Sequence, residues 1–410
     1  MNPGGCTLHP APCILHPASL TKKPGICHVL LDYYPQTGGA EVQARRLARY
    51  QREQGYPVCV IARRRLADPV ERQWPAHEEI DGIPVYRVPV WGRGRGAALS
   101  YFLGGLGLLF RHRREYQVLH AHMLAAPAIL GGLAGLLLRK RVVAKASGGG
   151  WQIRSNISDL QRSPVSLWLL RHTLHRILAI SREIAADLGQ LGFPPTQVTY
   201  LPNGIDGREF APADEPPAAV RQRLDLPVDS LVLVFTGRLR PVKNLAPLVE
   251  AMALLATDFP ALRLLLVGEG PERGRLTQLA QTLNRADQVV FVGDVPDVRP
   301  YLHAADIFVL PSLKEGLSNS LLEAMAVGLP AVATAVGGAP DLIRPGENGI
   351  LLPPNPTPVQ IADALRPLLT DPARRRTLGR LARQTVVEQC AFEVVGEHVL
   401  ALYHELVGDR

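Results

Sequence analysis

Short apolar runs, each closing on a small or polar residue and each followed by a helical pattern, fill two separate stretches of this sequence. In the first, GICHVLLDYY (residues 25–34) stops at Pro35 and a pair of glycines. AEVQARRLARYQREQGY then spaces Val42, Leu47 and Tyr50 along a helix, and PVCVIA (57–62) returns as an apolar run. YQVLHAH (116–122) and RILAISR (176–182) add strands to the same sheet. The alternation begins again at LVLVFTGRL (231–239) and passes through the helix NLAPLVEAMALLA and the strand LRLLLVGEGPE (262–272). QVVFVGDV, ADIFVLPS and LPAVATAVGG continue it. Parallel strands need a crossover between them, so this repetition predicts the α/β class with parallel sheets. A chain of 410 residues exceeds one ordinary core, and the second start predicts a second domain. No repeat with a period of about 20–50 residues appears, which argues against a solenoid.

The boundary falls in TYLPNGIDGREFAPADEPP (199–217), rich in Pro, Gly and Asp. The expected division is a loose tail over residues 1–24, a first domain over 25–204, a second over 205–385, and a closing helical segment over 386–410. In open parallel sheets ligands gather beyond the carboxyl ends of the strands, which here carry Gly237, Gly268, Gly293, Ser312 and Gly337.

Composition narrows the class. Hydrophobic residues at 47% and charged residues at 20% are the balance of a globular chain rather than a disordered one. Cys6, Cys13, Cys27, Cys59 and Cys390 are scattered without metal-like pairing, which points to a reducing compartment and away from a disulfide framework. No stretch reaches the roughly 20 apolar residues of a spanning helix. The first two dozen residues lack a basic cluster ahead of an apolar core, so a signal peptide is not expected. Residues 1–200 hold 25 Lys and Arg against 12 Asp and Glu, while residues 201–410 hold 20 against 25. A basic first half joined to a mildly acidic second half predicts domains with different partners. Nucleic acid is suggested only by the basic pI, without aromatic platforms or a known binding motif.

Four motifs carry chemistry. KEGLSNSLLEAMAVGLP (314–330) places Glu315 and Glu323 on either side of a helix mouth. Ser318 or Asn319 can cap a helix from about residue 320 to residue 326. The free N–H groups and the dipole at that end favour an anion such as a diphosphate. Glu315 would stand in the cleft, where a carboxylate can accept hydrogen bonds from sugar hydroxyls. Glu323 can reach inward and hold both hydroxyls of a vicinal diol. The plainer alternative is a capped helix with one solvated glutamate and one in a salt bridge.

In TGRLRPVKN (236–244), Gly237 allows a sharp turn, Arg238 lies at that turn and Lys243 opens the next helix. A fixed guanidinium and a mobile ammonium suit the two phosphates of a nucleoside diphosphate, unless they are simply two surface cations. HAHML puts His120 and His122 on one strand face. A metal would need further ligands, and no carboxylate or cysteine stands beside them. A single His reaching into the cleft as a hydrogen-bond partner of substrate is the expectation, with His120 a candidate core histidine. PQTGGAE (35–41) is a glycine loop in which Gly38 and Gly39 permit close backbone approach ahead of a helix N-terminus. It lacks the G-x-G-x-x-G spacing of a dinucleotide fingerprint.

Taken in order, GGAE, HAH, LPNGID, GRLRPVKN, LLLVGEGPE, VVFVGDV, ADIFVLPSLKEGLSNSLLEAMAVGLPAVAT and GGAPDLI resemble the retaining, GT-B-fold glycosyltransferases of family 4. The resemblance covers residues 25–406, and the pair Glu315 and Glu323 is the family's best-known mark. It implies two Rossmann-like domains facing each other across a cleft, the first binding the acceptor and the second the nucleotide sugar. The last helix, from Val386 onward, would cross back onto the first domain. Arg238 and Lys243 would hold the donor diphosphate beyond the turn at Gly237. Glu323 would bind the ribose hydroxyls, and Glu315 would contact the donor sugar near its reacting carbon. Gly316, Leu317 and Ser318 would offer backbone groups to sugar and phosphate, and Gly39 would approach the diphosphate from the other domain. His122 would meet the sugar near its reacting face, and Val292 and Gly293 would lie by the base. His122, Arg238, Lys243 and Glu315 are thus the expected catalytic residues.

A retaining hydrolase would need two carboxylates flanking the glycosidic bond, one of them a nucleophile. No recognisable motif on the opposite domain offers that nucleophile. Same-face transfer is therefore expected, the departing diphosphate helping to deprotonate the acceptor hydroxyl. No Asp-x-Asp occurs in the chain, so neither an obligate divalent metal nor another cofactor is expected. A UDP-sugar is the first expectation for the donor and a GDP-sugar the second. SYFLGGLGLLFRHRREY (100–116) and LLLRKRVVAK (136–145) join apolar segments to basic clusters. That arrangement suits an anionic membrane surface or a lipid diphosphate, and equally a core helix ending in solvated cations. The expectation is a cytoplasmic enzyme, peripheral on the inner face of the membrane, extending a lipid-linked glycan in polysaccharide or lipopolysaccharide biosynthesis. A nucleotide-sugar 2-epimerase shares the two-domain shape but needs an acid/base pair and no acceptor, and PNGID with EGLSNSLLEAMA favours the transferase. A non-catalytic relative fits poorly with the presence of Arg238, Lys243, Glu315 and Glu323 together. A glucan-storage synthase would carry Lys-Thr-Gly-Gly where this chain has TGGAE.

Overall fold

The first sheet is built from β1 (Ile26–Val29), β2 (Val58–Arg65), β3 (His77–Ile80), β4 (Ile83–Val90), β5 (Val118–His122), β6 (Arg141–Ala146), β7 (Arg176–Ala179) and β8 (Val198–Tyr200). These strands belong to a computed structural model that describes residues 23–36, 38–147 and 163–408. The expected tail, with Cys6 and Cys13, lies outside the described residues apart from Lys23 and Pro24. Strand order is β3-β4-β2-β1-β5-β6-β7-β8. Every neighbouring pair is parallel except the hairpin β3–β4. That hairpin turns on Asp81 and Gly82, both at positive φ, the Asp-Gly signature of a tight two-residue turn.

The second sheet comprises β9 (Val232–Thr236), β10 (Arg263–Val267), β11 (Val289–Gly293), β12 (Ile307–Leu310), β13 (Ala331–Thr334) and β14 (Gly349–Leu352). Its order is β11-β10-β9-β12-β13-β14, and all pairs are parallel. Strands such as Ile307–Leu310 are buried at every residue, which is why they read as continuous apolar runs rather than alternating ones. The order reverses at β9, which separates β10 from β12. Such a reversal leaves a crevice beyond the strand ends.

Two connections join the sheets, and they run side by side. Ile205 donates its N–H to the Cys390 carbonyl at 2.7 Å, and Phe392 donates to the Ile205 carbonyl at 3.0 Å. The closing helical pattern is not one helix. Helix Pro372–Cys390 packs on helix Asn319–Ala326, the chain breaks at Ala391, and helix Phe392–Gly408 follows. Phe392, Val399, Leu400, Tyr403 and Leu406 share a core with Ile26, Val60, Val118 and Val143 of the first sheet. The last helix therefore returns to the first domain from Phe392, six residues beyond Val386, because its apolar face is what covers that sheet. Gly396 makes the contact close, since a Cβ there would overlap the Tyr50 ring of helix Gly39–Glu53.

Candidate active site

Three loops converge at the carboxyl ends of β9, β10 and β11. Gly237 N donates to Val267 O at 2.9 Å, and Gly268 N donates to Gly293 O at 2.7 Å. Gly237 and Gly268 have φ of 140° and 131°, and a Cβ on Gly268 would run into the Gly237 carbonyl, so side chains are excluded from this end of the sheet. Gly293 closes β11 beside that pair, and Val292, just before it, is half-buried. Arg238 is exposed at the turn. Burial raises the Glu41 carboxyl of the first domain above its usual range, and Arg238 pulls it the other way. Arg238 thus lies close enough to the facing domain for its charge to be felt at Glu41.

Lys243 does not open a helix. It ends a short 3-10 turn, Pro241–Lys243, followed by Asn244 at φ 53°, and the helix begins only at Ala246. Pro241 and Val242 set this local geometry. Leu313 N donates to Val242 O at 2.8 Å, tying the loop after β12 to the turn. That tie delivers Lys243 Nζ to within 2.5 Å of Glu315 Oε1, both side chains mostly shielded.

Beyond Glu315 the chain enters helix Asn319–Ala326, capped by Ser318, whose Oγ accepts from Leu321 N at 3.4 Å. The loop ahead of the cap is held from two sides. Gly338 N donates to Gly316 O at 2.5 Å, and Asn203 Nδ2 donates to Leu317 O at 3.2 Å. These two carbonyls are therefore engaged by the protein. Glu323 lies one turn in, with 15% of its side chain exposed and Oε1 3.8 Å from Arg46 Nη1. Burial pushes its carboxyl up to about 7, against the pull of Arg46, with the nearby Glu209 adding to the rise. Arg46, on the first helix, also pairs with Glu209 at 3.2 Å.

Asn319 stitches the two domains. Its Nδ2 donates to Gly39 O at 3.1 Å, and its Oδ1 accepts from Gln43 Nε2 and from Asn203 Nδ2, each at 3.1 Å. Glu183 of the first domain accepts from Gly337 N at 2.7 Å, and Asp341 of the second from Arg182 N at 2.8 Å. Sequence reading passed over Arg46, Gln43, Glu183 and Asn319's bridging role. Asn203 inside LPNGID and Asn319 inside EGLSNSLLEAMA lay in motifs, but neither motif signals a bond between domains.

The histidines do not project into open space. His120 and His122 are both buried, at 0% and 2% exposure, and a third ring, His28 on β1, joins them. His28 and His120 are register partners across β1 and β5, which aims all three rings at one sheet face. His28 Nδ1 lies 2.7 Å from His122 Nε2, and the His120 and His122 rings stack at 4.4 Å. Burial lowers the pKa of all three, that of His28 to about 4, and Lys145 on β6 adds to the effect. Among the described residues this is the group whose ligand atoms, within 4.8 Å of one another, could gather on a metal. The very next residue, Met123, has φ 118°, a strained conformation for a side-chain-bearing residue at a strand end.

Two parallel-sheet α/β domains joined by paired connections, with the last helix returned to the first, define the GT-B fold. Comparison with solved structures agrees. Anabaena HepE, crystallised with UDP, superposes with a TM-score of 0.76 at 20% identity, covering 94% of this chain and 100% of that one. Residues 37–208 match the Glycosyltransferase Family 4 and residues 218–385 the Glycosyl transferases group 1. D-inositol 3-phosphate glycosyltransferase of Kineococcus radiotolerans is 30% identical, over 91% of this chain and 92% of that protein. N-acetyl-alpha-D-glucosaminyl L-malate synthase of Bacillus anthracis is 27% identical, over 92% and 96%. The chain belongs to the family 4 glycosyltransferases of group 1, enzymes of retaining type that use nucleotide-sugar donors.

Proposed function

We propose that this enzyme moves a hexosyl group from a nucleoside-diphosphate sugar to a hydroxyl of a lipid-linked glycan, with retention of anomeric configuration. The observation that carries the reading is the Lys243–Glu315 pair at the strand ends, beside a capped helix whose Asn319 reaches the facing domain. Lys243 and Arg238 hold the diphosphate, the helix N-terminus faces it, Glu315 takes the sugar and Glu323 the ribose diol. In the transfer, the acceptor oxygen bonds the anomeric carbon on the face that the diphosphate leaves. The bond from carbon to the diphosphate oxygen breaks, its electron pair stays with the phosphate, and the acceptor proton passes to that same oxygen. Cations fixed where this charge develops lower the barrier, and loss of one such donor typically costs about 10²–10³ in rate. Lys243 exchanges its partner from carboxylate to phosphate on donor binding, which frees Glu315 for the sugar.

The lipid-linked acceptor is supported by the surface of the first domain. Helix Gly94–Arg111 exposes Leu99, Leu103 and Phe110, and nearby Leu136, Leu137 and Trp168 are also exposed. Such an apolar surface beside basic residues suits a membrane face. Among the described residues no helix is long and apolar enough to cross a membrane. The reading is of a peripheral enzyme on the cytoplasmic side.

Thermal-shift titration with UDP, GDP and ADP tests the donor, UDP being expected to raise the melting point most and GDP next. Turnover of the stabilising nucleotide's sugars, with the product anomer read by NMR, tests the reaction. No stabilisation by any of the three, or an epimerised nucleotide sugar formed without acceptor, would overturn the reading.

A further inference from the structure

Gly39, Gln43 and Arg46 follow one another at steps of four and three residues, so they share one face of helix Gly39–Glu53 in the first domain. Asn319 and Glu323, four residues apart, share one face of helix Asn319–Ala326 in the second. These two faces meet. Asn319 bonds both Gly39 and Gln43, and one turn further along each helix Arg46 Nη1 comes to 3.8 Å from Glu323 Oε1. The bonds at the first turn set the approach at the second.

Arg46 is held from two other directions. Its Nη2 donates to Glu209 Oε2 at 3.2 Å, and its guanidinium lies 5.3 Å from the centre of the Phe210 ring. Nη1 is buried and has no hydrogen-bond partner, so the planar group presents an unused donor edge to Glu323. Among the described residues no other cationic side chain forms a salt bridge with Glu323. Burial works against the charge of that carboxyl, and Arg46 works for it. At 3.8 Å the contact is one of charge rather than a hydrogen bond, so it leaves the lone pairs of both Glu323 oxygens free. A carboxylate with two free oxygens can accept from both hydroxyls of a vicinal diol, whereas a protonated one turns an oxygen into a donor.

We propose that Arg46 is a positioning residue for the donor, reaching from the first domain to hold the Glu323 carboxylate ready for the ribose hydroxyls, so that selection of a ribose diol needs both domains. The proposal rests on the reading that Glu323 takes the ribose. It gives helix Gly39–Glu53 a part in donor binding beyond the glycine loop that precedes it. Glu209 competes with Glu323 for the same guanidinium, and Arg46 spans the two carboxylates.

Calorimetric titration of the full chain tests this with two probes: the nucleoside diphosphate that stabilises it most, UDP or GDP, and the 2′-deoxy form of the same nucleotide. The wild type should prefer the ribose form by about 10-fold or more, the worth of a hydrogen bond to a charged group. Arg46→Gln should lose most of that preference by weakening the ribose form and leaving the deoxy form nearly unchanged. Arg46→Lys, which keeps the charge, should retain more of it. Glu323→Gln should lose the preference too, and adding Arg46→Gln to that variant should change the ratio no further, since the two act as one unit. A cleft that merely loosens would weaken both nucleotides alike. An undiminished ribose preference in Arg46→Gln, or a loss of equal size for both nucleotides, would overturn the proposal while leaving Glu323 on the ribose. No ribose preference in the wild type would remove the reading of Glu323 itself, and the role of Arg46 with it.

Discussion

Lys243 Nζ sits 2.5 Å from Glu315 Oε1 although the two residues are 72 positions apart in the chain. The two charges neutralise each other across the strand ends. In the proposed reaction a diphosphate takes the ammonium and a sugar hydroxyl takes the carboxylate.

Lys243→Ala should therefore lower kcat by about 10²-fold or more, the usual loss when a cation at a developing charge is removed. Circular dichroism melting should show a far smaller change, since the pair is only one contact at a cleft edge. Wild-type turnover in this variant would take Lys243 out of the mechanism.

Glu323 makes stability fall with rising pH. Its folded carboxyl is raised from 4.5 to about 7, so between those values the native state holds a proton that the unfolded state has lost. The contribution is harmless below pH ~4.5, and the destabilisation is complete above pH ~7, amounting to at most about 3 kcal/mol. Glu323→Gln should leave the melting point unchanged at pH 4 and raise it at pH 8. Nucleotide affinity should show the opposite trend in the wild type, strengthening as the carboxylate ionises to grip the ribose diol. A flat pH dependence in wild-type melting would show that Glu323 is ionised in the fold.

Gly39 faces Asn319 closely enough that a Cβ would lie 3.3 Å from its Nδ2. Gly39→Val should raise the donor KM about 10-fold by holding the domains apart, equivalent to about 1.4 kcal/mol of binding. The melting point should stay within a few degrees. Steady-state kinetics beside a melting curve separates this from misfolding.

Gly396→Val drives a branched side chain into the Tyr50 ring. Overpacking of this kind costs about 1–3 kcal/mol. Limited proteolysis should then cut near Ala391 and release the last helix, while the wild type resists.

Leu99, Leu103 and Phe110 project from one helix into solvent. Replacing Leu103 and Phe110 with Ser should abolish flotation with vesicles containing anionic phospholipid and leave the thermal shift produced by the nucleotide intact. Equal flotation of the variant would move the lipid contact elsewhere.

Much of the architecture was legible from residues alone. Runs such as LVLVF and LRLLLV are apolar at every position because both sheet faces are covered, and that pattern survives in any one sequence. The cap was legible to within one residue, Ser318 or Asn319, since capping is local chemistry, and the structure places it at Ser318. The break at Ala391 was not, because the pattern on both sides of it is helical and only the pairing of Ile205 with the chain at 390–392 imposes the change. His28 sat unnoticed inside a strand run, for a single polar residue there carries no spacing signal. Its meaning appears only when β1 and β5 come into register.

Periodicity, capping residues and the order of glycine turns determined two parallel α/β domains and placed Arg238, Lys243, Glu315 and Glu323 at strand ends and a helix mouth, because these depend on neighbours a few residues away. The partners were decided by tertiary structure. Lys243 with Glu315, Arg46 with Glu323, Asn319 with Gly39, and Tyr403 with the histidines join residues tens to hundreds of positions apart. Hydrogen bonds and charges act over a few ångströms of space, and distance along the chain does not report that separation.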